Sequence, residues 1–63
     1  MIKEYDIIKS IRKLSDKVPV GTKGTVLMIY DSEPTEFEIE FVNDDNKFLE
    51  VLTVVINDVV KIM

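Results

Sequence analysis

The chain contains no cysteine, no histidine and no tryptophan. These absences exclude a disulfide staple, a thiolate nucleophile, and an imidazole base or metal ligand. Glycine and proline are scarce: only Pro19, Gly21, Gly24 and Pro34 occur, so each marks a specific bend. No stretch approaches the ~20 apolar residues of a membrane span. Lys3, Glu4 and Asp6 interrupt the start with charge, which argues against a secretory leader. Lack of cysteine fits a reducing compartment, so the expected location is the cytoplasm, with no membrane partner.

What is present is a supply of apolar residues, 46 % of 63. A chain of this length predicts one domain, spanning 1–63. Such a domain buries only about 60 % of its unfolded surface, so its stability rests on packing. The net charge of −4 is unevenly spread. Residues 1–23 hold six bases against three acids, whereas residues 24–63 hold two bases against nine acids. That balance argues against general nucleic-acid binding, which rests on an excess of Lys and Arg. The acidic part favours a basic partner.

The pattern along the chain predicts a mostly β domain. Residues 5–11 fit two readings. Apolar spacing at 2, 5, 8, 11 and 14 suits a helix, whereas the β-branched Ile7, Ile8 and Ile11 suit a strand, which is preferred. Residues 12–22, with Pro19 and Gly21, read as a long loop. Thr25–Tyr30 reads as a strand, and 31–35 as a turn. Glu36–Phe41 alternates strictly between acidic and apolar residues, the strongest strand signal in the chain. Asn43–Asn46 is a turn, Phe48–Val55 an apolar strand, Ile56–Asp58 a short helical turn and Val59–Ile62 a last strand.

The central hairpin is assigned a register. A three-residue loop, Asp44-Asp45-Asn46, puts Asn46 in the left-handed region, where Asn substitutes for Gly. Val42 then faces Phe48, Phe41 faces Leu49, Glu40 faces Glu50, Ile39 faces Val51 and Glu38 faces Leu52. One face carries Phe37, Ile39, Phe41, Leu49 and Val51 as core. The other carries Glu36, Glu38, Glu40 and Glu50 with Val42, Phe48, Leu52 and Val54. A one-residue slip would send acids into the core. A β-bulge near Glu50 would instead turn Leu52 and Val54 inward, and the sequence leaves both readings open.

The order of elements fits a five-stranded SH3-like barrel with one short helical turn before the last strand. Tyr5-Asp6-Ile7-Ile8, Gly21-Thr22-Lys23-Gly24-Thr25-Val26, Glu38-Ile39-Glu40-Phe41-Val42 and Leu52-Thr53-Val54 resemble a family of small bacterial proteins described as a domain of unknown function. The resemblance covers nearly the whole chain and implies residues 5–11 as a strand. The Gly-x-x-Gly-Thr-Val segment is similar to the strand start in the nitrile hydratase β subunit and the photosystem I accessory subunit. The family resemblance implies antitoxin or immunity use, and the barrel resemblance implies an accessory subunit of a larger enzyme. One departure is Asp45-Asn46, where relatives carry a glycine in the hairpin.

No catalytic constellation emerges, and no cofactor or small-molecule substrate is implied. Glu40 opposite Glu50 is a candidate proton-sharing pair, but a solvated polar face explains it more simply. Asn43–Asn46 offers oxygen ligands without the spacing of a calcium loop. Gly21-x-x-Gly24 lacks the Lys-Ser/Thr and the helix of a phosphate loop, so positive φ at a bend is the expected role. The serines and threonines have no activating base. The expected function is therefore a non-enzymatic interaction module that binds a protein partner or a second copy of itself. Its candidate surface is Glu36, Glu38, Glu40, Val42, Phe48, Glu50, Leu52 and Val54. The alternative is an RNA- or ribosome-binding barrel using Lys9, Arg12, Lys13 and Lys23, although no aromatic is positioned beside them for stacking.

Overall fold

The computed structural model describes all of residues 1–63. Five strands follow one another: β1 (Ile7–Ser10), β2 (Lys23–Tyr30), β3 (Glu36–Val42), β4 (Phe48–Val55) and β5 (Val59–Lys61). A single 3-10 turn, Ile56–Asp58, precedes β5. All pairings are antiparallel, in the order β4-β3-β2-β1-β5. The chain is thus all-β, with the short helical turn where the sequence places it, and residues 7–10 are strand. The order is compatible with the expected SH3-like barrel, and its two edge strands, β4 and β5, do not pair with each other. No helix is long and apolar enough to cross a membrane.

Strand β3 shows why the alternation was readable. Phe37, Ile39 and Phe41 are buried, while Glu36, Glu38, Glu40 and Val42 are half-buried on the opposite face. The core joins these phenylalanines and Ile39 to Ile8, Val18, Val26, Val54 and Val59. Ile2, Leu14, Leu49 and Leu52 pack around its rim.

Gly24 has a different role from the one expected. Gly21 takes φ +85°, as a bend requires, but Gly24 does not have positive φ. It lies between Ile8 of β1 and Phe41 of β3. A Cβ there would stand 2.6 Å from Ile39 Cγ2 and 3.0 Å from Phe41 Cδ1. Glycine is needed at this position because core side chains close directly over the backbone.

The long loop is ordered by one buried hydroxyl. Ser10 Oγ donates to the Pro19 carbonyl at 2.9 Å and accepts the Thr22 N–H at 3.0 Å. Thr22 Oγ1 also donates to Pro19, at 2.6 Å. These bonds close the loop over the end of β1 and let Val18 reach the core.

The central turn forms as expected at its tip. The Asn43 N–H donates to Lys47 O, Val42 pairs with Phe48, and Asn46 adopts φ 61°. Beyond Val42 the register departs from expectation. Phe41 faces Glu50, Glu40 faces Val51, Ile39 faces Leu52 and Glu38 faces Thr53. The cause is a bulge at Leu49, which sits unpaired between Phe48 and Glu50. Strict alternation would bury either Leu49 and Val51 or Leu52 and Val54. The extra residue lets Leu49, Leu52 and Val54 all turn towards the core and leaves the smaller Val51 outside. Strand β2 carries a second bulge between Val26 and Met28, which directs Met28 and Tyr30 to the glutamate face.

Candidate functional site

The outer face of the sheet is built around β3. Glu36, Glu38 and Glu40 recur every second residue, which spaces them about 6.8 Å apart along the strand. The registers fix their neighbours. Tyr30, Met28 and Thr25 of β2 face Glu36, Glu38 and Glu40 on one side, and Val55, Thr53 and Val51 of β4 face them on the other. Three carboxylates thus run as a lane between two rows of mainly apolar side chains. Met28, Tyr30 and Val51 are exposed, at 48 %, 38 % and 38 %. The lane itself is only half-buried, so its charges remain available to a partner.

Glu38 is the best-positioned member. Thr53 Oγ1 donates to Glu38 Oε1 at 2.6 Å, and Tyr30 Oη donates to the same oxygen at 3.5 Å. Its other oxygen accepts no hydrogen bond from the chain. The arrangement presents acceptors to cations and N–H donors between two mainly apolar rows.

Several expected site residues lie elsewhere. Val54 is 6 % exposed and belongs to the core, and Leu52 packs against it. Both leave the candidate surface because the Leu49 bulge inverts the phase of β4. Glu50 also leaves the lane: it faces Phe41, and its Oε1 accepts a 2.6 Å hydrogen bond from Ser15 Oγ. The Glu40–Glu50 proton-sharing pair is therefore not formed. Val42 and Phe48 pair with each other beside the lane, and Phe48 is 62 % exposed. The sequence reading missed Met28, Tyr30, Val51, Thr53 and Val55. The two-sided apolar character of Phe48–Val55 hinted at a change of phase but not its position.

The basic residues do not form one cluster. Lys9 and Lys23 are partners across β1 and β2. Arg12 Nε lies 3.3 Å from Asp58 Oδ1, and Lys13 Nζ lies 3.4 Å from Asp16 Oδ1. These ion pairs neutralise half of the alternative surface locally. The Asn43 carboxamide, one of the oxygens considered for a metal, accepts the N–H groups of Asp45 and Lys47 within its own turn.

One carboxylate is perturbed. The Lys3 N–H donates to Asp6 Oδ2 at 2.7 Å, and Lys61 Nζ stands 3.3 Å from the same oxygen. Together they hold the Asp6 carboxyl below its ordinary range. Asp6 fastens the N-terminal segment to β5, well away from the lane.

No curated protein and no solved structure matches the chain. The model of the family described as a domain of unknown function (DUF4926) matches residues 4–61, nearly the full length of the chain, and the chain belongs to that family.

Proposed function

We propose that the chain is a non-enzymatic interaction module, an SH3-like barrel whose glutamate lane receives a basic protein partner. One observation carries this reading: Glu36, Glu38 and Glu40 stand in line on one face, flanked by Met28, Tyr30, Val51 and Val55. Aligned like charges repel one another, so their mutual interaction adds nothing to the stability of the fold. Grouped exposed apolar side chains beside charge mark interaction surfaces. The partner would be a cytoplasmic protein presenting a line of Lys or Arg flanked by apolar side chains. An antitoxin, immunity or accessory role is consistent with such binding, since an acidic face can block a basic active site by covering it.

The test is affinity capture from the native host with the wild-type chain and with a Glu36→Gln/Glu38→Gln/Glu40→Gln variant. A partner held by wild type, released by salt and lost by the variant supports the proposal. A partner retained equally by the variant refutes the assignment of the lane. The RNA-binding alternative now depends on Lys9 and Lys23. It predicts a gel shift with host RNA at low salt that is abolished by Lys9→Glu.

A further inference from the structure

We propose that the free edge of β4 pairs with β4 of a second copy, antiparallel about a two-fold axis at Thr53. Strand β4 has eight residues and bonds only to β3. The Ile56 N–H donates to the Thr35 carbonyl. Antiparallel alternation carried inward from that bond points the backbone groups of Glu50, Leu52 and Val54 at β3. Those of Val51, Thr53 and Val55 point away from the sheet. No backbone group elsewhere in the chain bonds to them. They form a row of unsatisfied donors and acceptors, which is a template for another strand.

The bulge at Leu49 and the inward-facing Glu50 lie at one end of the strand, and the stretch beyond them carries no further device that protects an edge. Residues 51–55 include no lysine, no proline and no charge of either sign. Their order is nearly palindromic about Thr53. Pairing about that residue sets Val51 against Val55 of the second copy, Leu52 against Val54 and Thr53 against Thr53. Threonine pairs are favourable neighbours across strands, and β-branched valines pack well on a pleated surface. This two-way symmetry argues for a second copy rather than an unrelated strand, because a two-fold interface needs a surface that complements itself.

The glutamate lanes do not oppose the pairing. The two glutamate lanes would be three strand spacings apart, about 14 Å. That exceeds the screening length of about 8 Å at physiological salt. Both lanes would lie on the same face of one ten-stranded sheet, so the pair would present two parallel acidic tracks to a partner.

Sedimentation velocity up to about 1 mM, the weak end of protein affinities, should show wild type reaching twice the monomer mass of 7.3 kDa. Thr53→Lys opposes two lysines at the axis and should raise the dissociation constant about tenfold or more, equivalent to about 1.4 kcal/mol. Val51→Lys should weaken pairing as well, and Val60→Lys, on the other edge of the sheet, should leave it unchanged. Hydrogen exchange supplies a readout independent of substitution. The amides of Val51, Thr53 and Val55 should exchange quickly when dilute and slowly when concentrated, with those of Glu50, Leu52 and Val54 protected throughout. A chain that stays monomeric at every concentration overturns the proposal. So does a dimer that survives Thr53→Lys, or one whose Val51, Thr53 and Val55 amides stay unprotected.

Discussion

Replacing Gly24 with alanine tests how closely β2 is threaded beneath the core. The added Cβ would lie 2.6 Å from Ile39 Cγ2, 3.0 Å from Phe41 Cδ1 and 3.1 Å from the Glu40 carbonyl oxygen. Carbon atoms prefer a separation of about 3.5–4.0 Å, so Ile39 would have to move by roughly 1 Å. Ile39 and Phe41 are both fully buried, and a close-packed interior offers no free volume for that shift. Overpacking of this kind costs about 1–3 kcal/mol. The loss of unfolded-state freedom on replacing glycine returns about 0.4–1 kcal/mol. A net destabilisation of about 1–2 kcal/mol remains, and a domain of this size loses about 4–8 °C in Tm per kcal/mol. Thermal unfolding by circular dichroism should therefore show a drop of about 5–15 °C. Combining Gly24→Ala with Ile39→Ala should cost less than the two changes added together, with a coupling of about 0.5–3 kcal/mol. An unchanged or higher Tm for Gly24→Ala would refute the packing of Ile39 and Phe41 over this backbone.

Three further outcomes follow from the same geometry. Ser10→Ala strands the buried Thr22 N–H and should cost about 1–3 kcal/mol in a urea titration, with faster proteolysis in residues 12–22. Asn46→Gly relieves about 1–2 kcal/mol of left-handed strain at φ 61° and gives back about 0.4–1 kcal/mol through added unfolded-state freedom, so the same titration should show a net gain of at most about 1 kcal/mol. Because the folded-state pKa of Asp6 is lowered, its contribution is present above the unfolded value of about 3.9 and is lost as pH falls through the folded value. Asp6→Asn should therefore be less stable than wild type near neutrality, and the difference should close in acid.

Much of the fold was legible because the strongest signals were local. The alternation in Glu36–Phe41 has a single burial solution, and Asn46 was the residue able to take positive φ in its turn. The 3-10 turn and β5 were marked by the break between Val55 and Val59. The phase of β4 was not legible, because Phe48–Val55 is apolar on both faces except at Glu50. Alternation alone could not reveal an unpaired residue, and the bulge at Leu49 is favoured only once Leu49, Leu52 and Val54 are all packed against β3. The candidate site inherited that ambiguity. Its acidic members on β3 were placed correctly, whereas Leu52, Val54 and Glu50 were exchanged for Val51, Thr53 and Val55. Met28 and Tyr30 joined through the bulge in β2, which a β-branched and apolar run conceals. Gly24 looked like a bend because its close approach depends on Ile39 and Phe41, which are far away in sequence.

The central claim is that the glutamate lane, and not acidity in general, is the binding surface. The most direct measurement is an NMR titration of the isotope-labelled chain with a short cationic peptide of alternating lysine and leucine. The account predicts that shift changes converge on Met28, Tyr30, Glu36, Glu38, Glu40, Val51 and Thr53, and diminish in the triple Glu→Gln variant. Changes confined to the exposed acids Asp31, Glu33, Asp44 and Asp45, with the lane unmoved, would contradict it.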